Sequence, residues 1–241
     1  MLSSVRTFLG TEVDNSPLVV FRMIFGFLAA AESFGAIFTG WVKKAFIDPK
    51  FTFTVIGFEW LQPFEGNGMI IYFAVMGTAA LGIMLGLFYR ASTFTFFGMW
   101  TMVYIMQKTH YNNHYYLLVL MSFVMFLLPA HKKASMDAKW GLTKPSLTCA
   151  RVCHWFFIIQ ILIVYVYASI HKMNPDWIDA KPLSLWFSQK PHFWLIGPLL
   201  GKEWFPYLIA WGGIVYDGSI VFLLLYPKTR KLGFVLSIIF N

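Results

Sequence analysis

Two polar segments of the chain carry side chains that could do chemistry, and the first covers residues 108–116. It places two histidines and two asparagines among tyrosines where an apolar run begins. The side chains of Asn112, Asn113 and His114 supply hydrogen-bond donors and acceptors there. An imidazole titrates near neutral pH, so His114 could act as a general acid or base. An interfacial belt of aromatic and polar residues explains the segment equally well, and both interpretations stay open at this point.

The second segment, residues 171–177, follows another apolar run and reads His-Lys-Met-Asn-Pro-Asp-Trp. In a poorly hydrated aromatic site the neutral amine of Lys172 would be favoured, because desolvation disfavours the charged form of a lysine. Such an amine could remove a proton from a ligand. The alternative is a lysine whose stem lies along apolar surface while its ammonium reaches the membrane interface.

Three further ionisable residues, Arg22, Glu32 and Asp217, lie inside apolar runs. Charges in hydrocarbon are costly and usually face the interior of a helix bundle. Arg22 and Glu32 are ten residues apart, which is about 15 Å of helix, so the two side chains cannot pair directly. Structural hydrogen bonds across helices and direct participation in a site are both compatible with this pattern.

The histidines do not form a recognisable metal motif. Four of them are assigned to one membrane face, namely His110, His114, His171 and His192. His110 and His114 are four residues apart but lie on either side of a predicted helix start, and no carboxylate or cysteine completes a ligand set. We therefore predict that the protein binds no metal.

The elements that must position these residues are membrane-spanning helices. The chain has 241 residues, of which 58% are hydrophobic and only 12% are charged, whereas soluble domains carry roughly 25% charged residues. Mean hydropathy is +0.63. These values exclude a disordered chain, a coiled coil and an ordinary cytosolic enzyme. Long apolar blocks between short polar patches predict an all-α, polytopic transmembrane helix bundle.

Six complete spans and the start of a seventh are predicted after a polar lead at residues 1–17. The transmembrane domain, 18–241, has spans at 18–38, 69–88, 93–107, 113–128, 152–170, 205–226 and 232–241. A tight turn is expected at 89–92, between the second and third spans. The last run is about 15 Å long as a helix, roughly half of a bilayer's hydrocarbon core. We therefore expect the chain to be part of a longer protein, cut inside its seventh span.

The net charge of +8 is better explained by membrane orientation than by nucleic-acid binding. Lysines and arginines fall mostly in loops, and the loops at 130–151 and 227–231 are short and basic. The short basic loops of a membrane protein usually face the cytoplasm. This places the N-terminus inside and the segments 108–116 and 171–177 on the outer face, where His114 and Lys172 could share one pocket.

Four ordered motifs resemble the membrane part of the vitamin K-dependent γ-carboxylases, the horizontally transferred transmembrane domain. The motifs occupy residues 21–26, 81–90, 108–116 and 171–177, and the resemblance runs from about Asp14 to the last residue. The segment 51–60, Phe-Thr-Phe-Thr-Val-Ile-Gly-Phe-Glu-Trp, looks like the bacterial branch. The resemblance therefore implies an integral protein of the bacterial inner membrane.

What the resemblance implies is an enzyme that oxygenates a hydroquinone. In the family, reduced vitamin K, a menaquinol-type hydroquinone, reacts with O₂ to give an epoxide, and CO₂ is added to a peptidyl glutamate. Lys172 matches the lysine that deprotonates the hydroquinone, and His114 matches the histidine that assists it. The same resemblance suggests further quinol contacts from Asn112, Asn113, Tyr115, His171 and Trp177.

The partners expected from this resemblance are the lipid bilayer, a quinol and a glutamate-containing peptide, with no nucleic acid. The carboxylases continue into a large soluble region that helps to bind the glutamyl substrate, and the present sequence stops before such a region. Two alternatives therefore stay open. One is a quinone-linked membrane oxidoreductase that does not carboxylate, and the other is a non-catalytic membrane protein that acts in binding or maturation.

Overall fold

The described part of the chain folds as helices with one short strand pair, and the prediction of an all-α bundle is confirmed. The computed structural model describes residues 2–189 and 197–240. They form two compact units, residues 1–154 and 155–241. Each unit is described by itself below.

The first unit contains the helices α1 to α6 and a two-stranded sheet. In chain order it has α1 (Leu2–Gly10), β1 (Glu12–Asp14), α2 (Ser16–Phe38), a π-helical turn (Lys43–Ile47), α3 (Gly68–Leu85), α4 (Tyr89–Met106), a 3₁₀ turn (Lys108–His110), α5 (Asn113–Leu127), α6 (Met136–Lys139) and β2 (Thr148–Ala150). Helices α2 and α3 make the most extensive helix contact of this unit.

Small residues let the backbones of α2 and α3 approach closely. The Cα of Gly26 in α2 lies against the backbone of Met84 in α3, where no Cβ would fit. Further along, Gly77 of α3 receives the ring of Phe34. Helices in membranes associate through such contacts, because lipid leaves no hydrophobic driving force between them.

The second unit contains most of α7 (Val152–Lys172) and the helices that follow it. These are α8 (Pro175–Ile178), α9 (Lys181–Ser188), α10 (Gly197–Leu200), α11 (Trp204–Leu225) and α12 (Arg230–Phe240). Its core centres on one face of α11, where Tyr216, Ile220 and Val221 are buried against side chains of α7 and α12.

A helix is present at each of the seven predicted spans, and four of these helices are long and apolar enough to cross a bilayer. The four are α2, α3, α7 and α11, and α5 is a shorter apolar helix. How many of the helices span a membrane stays a prediction.

The turn between α3 and α4 lies at residues 86–88, so the expected turn at 89–92 is wrong. Gly86 has φ of +64° and Phe88 has φ of +42°, and α4 has already begun at Tyr89. Asp137 stabilises this turn, because its two carboxylate oxygens accept hydrogen bonds from the backbone N–H groups of Phe88 and Tyr89 at 2.7 and 2.9 Å. Asp137 is 49 residues from Phe88 in the sequence. The residues next to the turn therefore do not predict this contact.

The N-terminal lead also has more structure than its composition indicates. It contains α1 and β1, and β1 pairs antiparallel with β2, with Val13 opposite Cys149. This pairing attaches the basic segment 130–151 to the start of α2. Strands of three residues that are separated by most of a unit leave no periodic pattern in the sequence.

Candidate functional site

An ion pair lies at the end of α7 in the second unit. The Nζ of Lys172, the last residue of α7, is 2.6 Å from Oδ2 of Asp217, which lies in the middle of α11. The side chain of Asp217 is 9% exposed and that of Lys172 is 26% exposed. An isolated charge at such a place would be costly, so each group compensates the other. Asp217, which the sequence offered only as a buried ionisable residue, is thus the partner of the candidate base.

Contacts one turn away set the register of the two helices that carry the pair. Ser169 Oγ donates a hydrogen bond of 2.9 Å to the backbone oxygen of Ile214. Gly218 makes room for this contact, because a Cβ at that position would lie only 3.0 Å from Ser169 Oγ. Ser169 and Ile214 each precede the ion-pair residue of their own helix by three positions, about one turn, so this hydrogen bond holds the two helices together next to Lys172 and Asp217.

Trp177 lies beside the amine of Lys172. Its ring centroid is 5.3 Å from Nζ, within the range of a cation–π contact. The indole Nε1 donates to the backbone oxygen of Ala210 at 3.1 Å, which fixes the ring against α11. Asn174 positions the turn before it, since its Oδ1 accepts from the Trp177 N–H at 3.0 Å and caps α8.

Gly213 lies beside the amine and leaves room for a methyl group next to it. A Cβ added to Gly213 would be 3.7 Å from Nζ of Lys172, an ordinary van der Waals contact that the glycine leaves unoccupied. His171 does not face this space: it is exposed, and its ring is parallel to that of Tyr167 at 6.4 Å between centroids. The described surroundings of the amine are therefore a carboxylate, an aromatic face and bare backbone.

The segment 108–116 starts α5 in the first unit. Asn112 is the N-cap, and its Oδ1 accepts from the Tyr115 N–H at 2.8 Å. Asn113 accepts a hydrogen bond from the Tyr111 hydroxyl at 3.0 Å. His114 is exposed on the first turn of α5. Two of the predicted ligand-binding residues, Asn112 and Asn113, thus have local structural partners.

Tyr115 connects Glu32 to an aromatic pocket. Its hydroxyl donates to Oε1 of Glu32 at 2.9 Å, so Glu32 has a partner on α5 and not Arg22. The ring of Tyr115 meets Trp100 edge to face at 5.2 Å between centroids. Trp41, Phe46, Tyr104 and His110 also line this small pocket.

Gln107, which is not among the predicted site residues, attaches the loop after α2 to the end of α4. Its Oε1 accepts from the Phe53 N–H at 3.1 Å, and its Nε2 donates to the Ala45 oxygen at 3.1 Å. The side chain is almost fully buried. A single glutamine at the end of an apolar run was the only signal in the sequence.

Arg22 has a structural environment at the opposite end of the first unit. It is 1% exposed, and its Nη2 donates to the Ala134 oxygen at 2.7 Å. Its guanidinium fills the space that a side chain on Gly86 would need. Within the part of the chain that the structure describes, its Nε and Nη1 have no hydrogen-bond partner. Arg22 therefore holds the segment around Ala134 against the turn after α3.

His131 was also not among the predicted residues. Burial lowers the pKa of its imidazole to about 4, and the neighbouring Arg90 acts in the same direction. The ring stacks on Tyr89 at 4.8 Å between centroids. A neutral imidazole in this place is a packing group of the turn that Asp137 caps.

The two candidate catalytic residues belong to different units, Lys172 to the second and His114 to the first. The shared pocket therefore stays a prediction. Among residues 2–189 and 197–240, no three histidine, cysteine, aspartate or glutamate side chains come together as a metal site. His192, one of the four histidines considered for a metal, lies outside the described residues.

Apolar helices of membrane-spanning length, with charged side chains paired between them, define a polytopic integral membrane protein. The HTTM domain family model matches residues 11–241, so the chain belongs to this family, the membrane part of the vitamin K-dependent carboxylase family. No solved structure matches the chain.

Proposed function

We propose that this protein is a membrane enzyme that acts on a hydroquinone, with Lys172 as the base that removes a hydroxyl proton. The observation that carries the proposal is the environment of the amine: it is partly buried, it is paired with Asp217, and it lies beside the Trp177 ring and the backbone of Gly213. Membership of the HTTM family supports the same role, because Lys172 falls in the motif that resembles the family's basic lysine.

The residues around the amine fit an aromatic alcohol. The face of Trp177 offers a flat apolar surface to a ring, and aromatic rings pack well in offset or edge-to-face contacts. The amine is within reach of a hydroxyl held there, and burial strengthens their interaction. Reduced vitamin K, when bound, supplies the hydroxyl and the ring electrons with which O₂ reacts. Lys172 positions and deprotonates this substrate.

His114 is proposed to assist at the same substrate. It is exposed on the first turn of α5, where a ligand can reach its imidazole. Asn112 and Tyr115 hold that turn in place.

The proposal extends to carboxylation of a glutamyl peptide with CO₂, and to the bacterial inner membrane with this chemistry on the outer side.

Turnover assays on membranes can test the proposal. Wild type, Lys172→Ala and Lys181→Ala would be given a menaquinol-type hydroquinone and O₂. Lys181 is a matched control, because it belongs to the same unit but forms exposed ion pairs with Asp176 and Asp179 at 2.9 and 3.2 Å. We expect Lys172→Ala to lower epoxide formation at least about 100-fold, the usual contribution of a general base. Unchanged turnover of Lys172→Ala would contradict the assignment.

A second readout separates the two enzymatic possibilities. Labelled CO₂ and a glutamate-containing peptide are added to the same membranes, and carboxylated peptide is measured apart from the epoxide. Carboxylation that disappears together with the epoxide in Lys172→Ala supports the carboxylase proposal. Epoxide without any carboxylated peptide indicates a quinone-linked enzyme that does not carboxylate.

A further inference from the structure

The pairing of Lys172 with Asp217 raises a chemical question about the candidate base. A lysine that lies 2.6 Å from a carboxylate is held as an ammonium, and an ammonium has no lone pair with which to accept a proton. A neutral amine requires that one proton of Lys172 moves elsewhere. Among the described residues, Asp217 is the carboxylate that contacts Nζ.

Charge balance favours Asp217 as the destination of that proton. Separated charges are expensive in a poorly hydrated, low-dielectric site. If Lys172 alone accepted a proton as a neutral amine beside an ionised Asp217, the site would carry a net negative charge before the reaction. A pair that starts as ammonium and carboxylate is neutral.

We propose that Asp217 is the final acceptor of the hydroquinone proton and that Lys172 relays it. This inference rests on the proposed function. One N–H bond of Lys172 first breaks as an O–H bond forms on Asp217, which leaves a neutral amine. The O–H bond of the hydroquinone then breaks as a new N–H bond forms on that amine. No electron is transferred. The products are a phenolate, an ammonium and a carboxylic acid, so the net charge is zero before and after the step.

The burial of the two side chains agrees with Lys172 facing the hydroquinone and Asp217 lying behind it. Asp217 is 9% exposed and Lys172 is 26% exposed, so Lys172 is the more accessible group. Gly213 and the ring of Trp177 both lie near Nζ. Asp217 is therefore a positioning residue, which acts on the substrate only through Lys172. After the transfer, the ammonium of Lys172 remains next to the phenolate and stabilises it.

The other described ionisable groups near the ion pair are not placed to accept a proton from Lys172. Asp176 and Asp179 both form ion pairs with Lys181, and all three of these side chains are more than half exposed. His171, the neighbour of Lys172 in the chain, lies on the exposed side of α7 and stacks on Tyr167. Tyr216, which precedes Asp217, is buried in the core around α11.

Kinetics of three variants test the relay. Asp217→Asn keeps the size of the side chain but cannot take up the proton, Asp217→Glu can, and Asp176→Asn is the exposed control. We expect Asp217→Asn to lower kcat for epoxide formation at least about 100-fold, with KM for the hydroquinone within about threefold of wild type. Asp217→Glu should recover at least about a tenth of the wild-type kcat, and Asp176→Asn should match wild type.

The outcomes separate this inference from the proposed function. Full activity of Lys172→Ala would overturn both. Loss of activity in Lys172→Ala together with a normal kcat in Asp217→Asn would overturn the relay alone. If Asp217→Asn does not fold, the solvent-isotope dependence of the wild-type rate decides. A curved dependence on the deuterium fraction, from two protons in motion, supports the relay, and a straight line overturns it.

Discussion

At the scale of single residues, the proposed chemistry depends on the ion pair between Nζ of Lys172 and Oδ2 of Asp217. The sequence marked Lys172 and Asp217 separately, because both are ionisable groups in or beside apolar runs. Forty-five residues separate them, and no spacing rule connects the end of one helix to the middle of another. Lys172 and Trp177 are close in the sequence, so a contact between them could be expected from the sequence. The ion pair, in contrast, depends on how α7 packs against α11.

The indole of Trp177 should matter through its position. Trp177→Phe keeps an aromatic ring but removes the hydrogen bond from Nε1 to the Ala210 oxygen. A buried hydrogen bond contributes about 1 kcal/mol, so we expect kcat/KM for the hydroquinone to fall about three- to tenfold. Trp186→Phe is the control, because Trp186 lies on the neighbouring helix α9 and is 55% exposed. An equal loss in both variants would argue against a specific role of Trp177.

At the scale of elements, the helices follow the apolar runs of the sequence, but their connections do not follow local patterns. Most of the helices begin and end within about three residues of the ends of the apolar runs, and helix ends themselves are defined only to one or two residues. The turn at 86–88 was missed, because it depends on Asp137 and Arg22, which approach it from other segments. The β1–β2 pair was missed for the same reason.

The turn after α3 should depend strongly on Gly86. Its φ of +64° favours glycine, and a Cβ would collide with the guanidinium of Arg22. We expect Gly86→Ala to lower the free energy of unfolding by about 2–4 kcal/mol, measured in detergent. Gly98→Ala is the matched control, since it lies inside α4 with no atom within 4 Å of the added Cβ. There alanine should be neutral or stabilising by up to about 1 kcal/mol. Equal destabilisation in the two variants would refute this account of the turn.

The same turn should make stability depend on pH. Burial lowers the pKa of His131 to about 4 in the folded protein, whereas an unfolded histidine titrates near 6.5. The unfolded chain therefore binds more protons between these values. His131 contributes its full stability above about pH 6.5, and the contribution is lost as the pH falls towards 4, by about 3 kcal/mol at most.

Unfolding of wild type and His131→Gln in detergent between pH 4 and pH 8 checks this effect. The variant should lose less stability than wild type on acidification. His110→Gln, at the other end of the unit, should behave like wild type. Parallel curves for wild type and His131→Gln would contradict a buried, neutral imidazole.

At the scale of the whole molecule, the predicted orientation can be tested by labelling. The basic segment that includes Lys144 is expected in the cytoplasm, and the loop that includes Lys50 on the outer side; both lysines are exposed. The native Cys149 should react little with a maleimide, because burial raises the pKa of its thiol to about 11. Lys50→Cys should react with an impermeant maleimide on intact cells, and Lys144→Cys only after the membrane is opened. The reverse pattern would invert the topology.

Composition and four motifs were sufficient to predict the helical membrane architecture and the family.

The central claim, that Lys172 deprotonates a hydroquinone, is tested most directly without O₂. Absorption difference spectra of a bound hydroquinone would be recorded anaerobically with wild type, Lys172→Ala and Lys181→Ala. We predict the band of the hydroquinone monoanion with wild type and Lys181→Ala and its absence with Lys172→Ala. The same monoanion band in all three proteins would contradict the claim.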